Sequence, residues 1–178
     1  MKKSILLPVL TIAVTAGLLL AVTLGLDGIA RTNIQAEHVK MLQTLLPGST
    51  EFVLEPYSGE DENIRSVHKA ENGFVVETVT AGYAGDITML VGVSNEGTVT
   101  GLVVRDMSET YGLGGNALTD HEFLAQFLNT SGEAEVGSTV DAITGATVTS
   151  KAVTRAVNSA VAYVTGADIS SGATSWGG

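Results

Sequence analysis

The sequence predicts an α+β fold, with helices packed on a mostly antiparallel sheet behind one N-terminal transmembrane helix. Three observations predict it. The 23 residues from Ser4 to Leu26 carry no charge. Two pairs of segments rich in valine, isoleucine and threonine each flank a short glycine-bearing turn. The last long segment repeats small and branched apolar residues at helical spacing.

At 178 residues the chain has room for one anchor and one domain large enough to bury its own core. The absence of cysteine excludes iron-sulfur clusters, thiolate metal sites, catalytic thiols and disulfides, so redox chemistry would need an organic cofactor. Neither a metal site nor catalytic residues are expected. Formal charge is −10; residues 1–26 hold Lys2 and Lys3 and no acid, so the remainder carries seven basic against 19 acidic side chains, or −12. Such a domain repels nucleic acid and is not expected to bind it.

As a helix, Ser4–Leu26 is long enough to cross about 30 Å of hydrocarbon. Residues 1–26 are therefore expected to form a transmembrane anchor in contact with membrane lipid, Pro8 near its start. Lys2 and Lys3 at one end and Asp27 at the other place the amino terminus in the cytoplasm and the domain outside it, in a single-pass protein of the cell membrane. Residues 27–48 form a juxtamembrane connector and a helix, in which Val39, Leu42, Leu45 and Leu46 recur at helical spacing before Pro47 and Gly48. The domain is expected to cover 49–166. Phe52 and Leu54, between Glu51 and Glu55, open the β territory; IRSVHKA and FVVETVTA flank a turn at Glu71, Asn72 and Gly73; ITMLVGV and TVTGLVV flank Ser94 to Gly97. Thr119 to Leu128 is expected to be a short helix capped by Thr119, with Glu122 completing a capping box and Phe123, Phe127 and Leu128 facing inward. From Lys151 to Val164, positions 152, 153, 156, 157, 160, 161 and 164 form one apolar stripe. Residues 167–178 are expected to be a flexible tail.

Chemistry points to the stretch VDAITGATVTS, Val140 to Ser150, which opens that last helix. Helix N–H groups and the helix dipole make an anion site there; Thr144, Thr147, Thr149 and Ser150 add hydroxyls, and Gly145 with Ala146 lets a large ligand approach the backbone. Lys151 and Arg155 lie in the first turns. Threonine, serine and glycine before a helix are also standard capping chemistry, so the residues by themselves leave phosphate binding and plain capping both open.

The pattern Asp141-x-x-Thr144-Gly145-Ala146-Thr147, followed by x-Thr149-Ser150-x-Ala-Val, resembles the flavinylation motif of the FMN-binding domain family. Upstream, GYAGDITMLVGV from Gly82 is similar to the family's Gly-Tyr-Gly-Gly-x-Ile strand, and SETYGLGG from Ser108 resembles its Glu-Thr-Pro-Gly-Leu-Gly loop. Two positions depart from the pattern: Tyr111 stands for the usual proline and Met107 where many members have histidine. The resemblance implies FMN held covalently by a phosphoester to Thr147, with Asp141, Thr144, Gly145, Ala146, Thr149 and Ser150 around the attachment and Glu109, Thr110 and Leu113 in a loop beside the flavin. A second short match, Asp168 to Thr174, has no helix after it and therefore lacks the anion site. A threonine hydroxyl is a weak nucleophile and the loop holds no histidine or thiolate to activate it, so a separate flavin transferase is implied.

The function the resemblance implies is an electron-relay subunit of a membrane Rnf-type ferredoxin:NAD+ oxidoreductase coupled to sodium or proton translocation. It would work beside multi-span membrane subunits and iron-sulfur subunits, with no catalysis of its own outside that complex. Alternatives are a free-standing extracytoplasmic flavoprotein carrier, a component like the C-type subunit of the sodium-translocating NADH:quinone reductase, and an anchored binding or structural domain without redox chemistry.

Overall fold

The computed structural model describes residues 3–108 and 114–167; within these, the side chains of 3–10, 23–34, 114, 116 and 117 are not described. The chain divides into two compact units, Met1–Lys40 and Met41–Gly178. Helix α1 runs over Lys3–Leu45, so the stretch 27–36, expected as a connector, is helical. It contains no proline, and although it opens on Asp27-Gly28, a pair common in turns, the helix runs through both residues. In the first unit the described side chains from Thr11 to Val22 are exposed. Among the described residues no helix is long and apolar enough to cross a membrane.

The second unit is built on a five-stranded antiparallel meander: β1 (Val53–Glu55), β2 (Ile64–Ala70), β3 (Gly73–Ala81), β4 (Asp86–Ser94) and β5 (Val99–Met107), in that order across the sheet. Both expected hairpins form. Successive side chains point to opposite faces, and because both faces are covered the central strands β3 and β4 are buried along most of their length. Val76, Ile87, Met89, Val91 and Val93 face the larger core, with Ala152, Val153, Ala156, Val157, Ala160 and Val161 of α4 (Thr147–Thr165). Val75 and Leu90 face the other way, onto Leu42, Leu45 and Leu46. These three leucines are almost fully buried, and each contributes about 2 kcal/mol of transfer free energy. Gly92 and Gly101 pair across β4 and β5. A Cβ on Gly101 would sit 2.9 Å from the Leu45 backbone, and one on Gly92 would overlap the Leu45 carbonyl oxygen. The missing side chains let the helix end reach the sheet, where the Thr100 hydroxyl donates to the Leu45 carbonyl at 2.6 Å.

The helix expected over Thr119 to Leu128 is shorter, α3 (His121–Ala125), and a separate short helix, α2 (Gly114–Thr119), precedes it. Asp120, not Thr119, is the cap of α3. Its carboxylate accepts from the N–H groups of Glu122 and Phe123 at 2.9 and 3.1 Å, while Thr119 closes the preceding turn by donating to Gly115 O. Phe123 and Phe127 pack edge to face at 5.4 Å in the core, whereas Leu128 is exposed. At the far end of α4, Tyr163 meets Tyr57 and Phe74 edge-on, and burial beside Glu55 and Tyr57 pushes its hydroxyl pKa up.

Candidate functional site

Residues 129–146 connect the α3 region to α4 without a strand, their one β-bridge joining Val136 and Val140. Their backbone is instead held by side-chain amides. The Ala134 N–H donates to Asn158 Oδ1 at 3.1 Å and Asn158 Nδ2 donates back to the Ala134 carbonyl at 2.9 Å. In the same manner the Asp141 N–H donates to Gln126 Oε1 at 2.8 Å, and Gln126 Nε2 donates to the Asp141 carbonyl at 3.4 Å. Sequence reasoning missed both amides, because each grip is a tertiary contact between residues 15 or more apart in the chain and carries no local pattern.

After Asp141 the chain folds into a tight turn in which the Ala146 N–H donates to the Ile143 carbonyl at 2.9 Å. Gly145 occupies the third position of the turn at φ 81°, a left-handed conformation that costs glycine almost nothing. Ser150 braces this turn from inside α4: its Oγ accepts from the Ile143 N–H at 3.3 Å and donates to the Ala146 carbonyl at 3.0 Å. The helix begins at Thr147, four residues earlier than its apolar stripe suggests. The extra turn is held by this brace and by the first helical bond, Ser150 N–H to Ala146 O at 2.8 Å.

That extra turn has unmet valences. Ala146 is the N-cap and supplies no side-chain acceptor, so the N–H groups of Thr147, Val148 and Thr149 point out of the helix with no cap over them. Thr147 and Val148 are exposed, while Thr149 is 1% exposed and its Oγ1 has no hydrogen-bond partner. An uncapped N-terminus beside an orphaned buried hydroxyl suits a tetrahedral oxyanion, which takes several donors at once. Lys151 is exposed one position past this turn. Arg155 spends Nη2 on the Ala81 carbonyl at 2.8 Å and, with the Thr80 hydroxyl on Ala152 O at 3.1 Å, ties the start of α4 to the end of β3.

The structure thus brings Asp141, Thr144, Gly145, Ala146, Thr147, Thr149 and Ser150 together on one turn and the helix entry that follows. Asp141, Thr144, Gly145 and Thr147 are exposed, and Ala146, Thr149 and Ser150 are buried. Glu109, Thr110, Leu113 and Tyr111 lie outside the described residues, as does the second short match at Asp168 to Thr174. Met107, at the end of β5, and Tyr83, beyond β3, are exposed.

A family model for the FMN-binding domain matches residues 82–162, which contain this turn, β4, β5 and most of α4. The G-type subunit of an ion-translocating oxidoreductase complex from Methanosarcina acetivorans is 35% identical over 177 residues, covering 90% of this chain and 93% of that protein. The G-type subunit of the Na(+)-translocating ferredoxin:NAD(+) oxidoreductase complex from Acetobacterium woodii is 38% identical over 98 residues, 50% of this chain and 47% of its own length. The proton-translocating counterpart of Clostridium ljungdahlii is 40% identical over 99 residues, 52% and 53% of the two chains. The chain therefore spans about half the length of these last two relatives and nearly all of the first.

Proposed function

Because the chain belongs to the family of G-type subunits of ion-translocating oxidoreductase complexes, we propose that it is the FMN-bearing electron-relay subunit of an Rnf-type ferredoxin:NAD+ oxidoreductase, with the flavin phosphate esterified to Thr147. The observation that carries the attachment site is the first turn of α4: an exposed threonine hydroxyl, three uncapped N–H groups and a buried, unpartnered Thr149 hydroxyl within three residues. Bound there, FMN supplies the electron-carrying chemistry.

The residues divide the work of holding it. Thr147 provides the ester oxygen. The N–H groups of Val148 and Thr149, and the Thr149 hydroxyl, are the donors for the phosphate oxygens, supported by the helix dipole and Lys151. Gly145 keeps the approach free of a Cβ. Thr144 and the Asp141 carboxylate are exposed and available to the flavin transferase. Ser150 is committed to the turn and acts as its brace rather than as a phosphate donor. Glu109, Thr110 and Leu113 remain proposed neighbours of the flavin ring. Loading proceeds from FAD: the Thr147 oxygen bonds the FMN-side phosphorus, the pyrophosphate P–O bond breaks, AMP departs with the bridging oxygen, and the hydroxyl proton is released.

The architecture that fits this role is an anchor over 1–26, a juxtamembrane stretch over 27–48, the FMN domain over 49–166 and a tail. Ser4–Leu26 lies within α1 and crosses the membrane with its amino terminus in the cytoplasm. Multi-span membrane and iron-sulfur subunits are its partners, and the coupled ion is sodium or a proton. Peptide mapping of the protein isolated with its transferase tests the reading. FMN is expected on the peptide holding Thr147, and Thr147→Ala abolishes it with thermal unfolding unchanged. An adduct on Thr174, or none at all, defeats the assignment.

A further inference from the structure

Asp141 is gripped by its backbone and not by its side chain. The Gln126 amide takes both its N–H, at 2.8 Å, and its carbonyl, at 3.4 Å, and the carboxylate is left exposed. Gln126 is itself well anchored: it sits at the C-cap of α3, between Phe123 and Phe127, which are 2% and 0% exposed and packed edge to face. From Asp141 the constraint passes along a short rigid path. Ile143 and Ala146 close the turn, Ser150 ties both to α4, and Thr147 is the next residue. A loop of six residues, with Asp141, Thr144 and Gly145 exposed, is thereby fixed at its start by Gln126 and at its end by Ser150. A grip on the backbone alone leaves the Asp141 side chain accessible from outside the chain.

We propose that Gln126 is a positioning residue for the covalent loading of Thr147: its amide sets the place and direction of Asp141, and through the braced turn the offered hydroxyl, so that the flavin transferase meets one preformed loop. The proposal rests on Thr147 being the attachment site. Without the amide the loop samples other conformations, and only the competent fraction binds the transferase. The loss therefore falls on KM for the protein substrate, with kcat kept.

Asn158 provides an internal control. It makes the same two-bond amide grip, on Ala134, at 3.1 and 2.9 Å, seven residues before Asp141. Its removal takes the same number of hydrogen bonds from the fold without freeing the motif loop.

The test uses full-length protein in detergent, purified transferase, FAD and magnesium, with FMN incorporation followed by intact mass and thermal unfolding measured in parallel. Gln126→Ala is expected to lower kcat/KM for incorporation about tenfold through KM, as the loss of two positioning hydrogen bonds implies. Asn158→Ala is expected to lower the unfolding temperature at least as much, yet to load at the wild-type rate well below that temperature. Wild-type kcat/KM in Gln126→Ala overturns the proposal while leaving the Thr147 reading intact. Equal slowing in Asn158→Ala also overturns it, since the effect would then follow stability alone. If the wild-type chain takes up no FMN, the attachment reading and this proposal fall together.

Discussion

Thr149 and Ser150 are adjacent, both buried and both hydroxylated, yet the fold uses only one of the two hydroxyls. Ser150 makes two hydrogen bonds to the turn before the helix, whereas Thr149 Oγ1 makes none. A buried hydroxyl left without a partner costs about 1 to 3 kcal/mol, a cost removed when an oxyanion arrives to accept from it. Thr149→Val keeps the shape and deletes the polar atom. In protein made without the transferase, this substitution is expected to raise unfolding stability by about 1 kcal/mol in urea titrations. In protein carrying FMN the gain is expected to vanish or reverse, because the same atom then donates to the phosphate. An equal gain in both forms would show that the Thr149 hydroxyl does not serve the phosphate. Sequence alone ranks Thr144, Thr147, Thr149 and Ser150 together as hydroxyl donors. What separates them is burial and partner geometry, which depend on the turn at Gly145 and on residues such as Gln126 far away in the chain.

Elements were legible where a periodic pattern met a single requirement. The seven stripe positions of α4 fall on its sheet-facing side, with only Val164 half-buried, and both hairpins form about the turns that their Asn-Gly and Asn-Glu-Gly signals mark. Boundaries were less legible, because polar residues decide them through contacts. Asp120 outcompetes Thr119 as cap since α2 already includes Thr119, and the glycine-rich sequence of α2, GGNALT, has little helix signal of its own. The meeting of α1 with the sheet is the clearest case of a hidden requirement. Gly92 and Gly101 look like weak points in two strands, but they are where the Leu45 backbone touches β4 and β5. Gly101→Ala places a methyl group against that backbone, which cannot rotate away as a side chain would. The substitution is expected to cost about 1 to 3 kcal/mol, in the range of overpacked cores, despite the better strand propensity of alanine. Chemical denaturation measures it, and a neutral result would mean that the last turn of α1 lifts off the sheet freely.

Charge acts over the whole chain. From residue 27 onward seven basic side chains face 19 acidic ones, so an electron arriving at the domain meets a surplus of negative charge. The surplus lowers the potential of a carrier held at Thr147, while the start of α4 and Lys151 act locally in the opposite sense. The two contributions separate by range. Exposed charges spread over the domain are screened beyond about 10 Å at 0.1 M salt and about 3 Å at 1 M, whereas donors in contact with the phosphate are barely screened. Covalent attachment makes the comparison clean, since a flavin fixed by an ester does not dissociate when salt is varied. Potentiometric titration of the loaded protein is therefore expected to give a midpoint that rises by on the order of tens of millivolts between 0.01 and 1 M salt, tenfold in equilibrium being about 59 mV for one electron. A midpoint that stays constant or falls would mean that the helix terminus and Lys151, rather than the acidic surface, set the potential. The composition of the domain would then have been shaped by solubility alone.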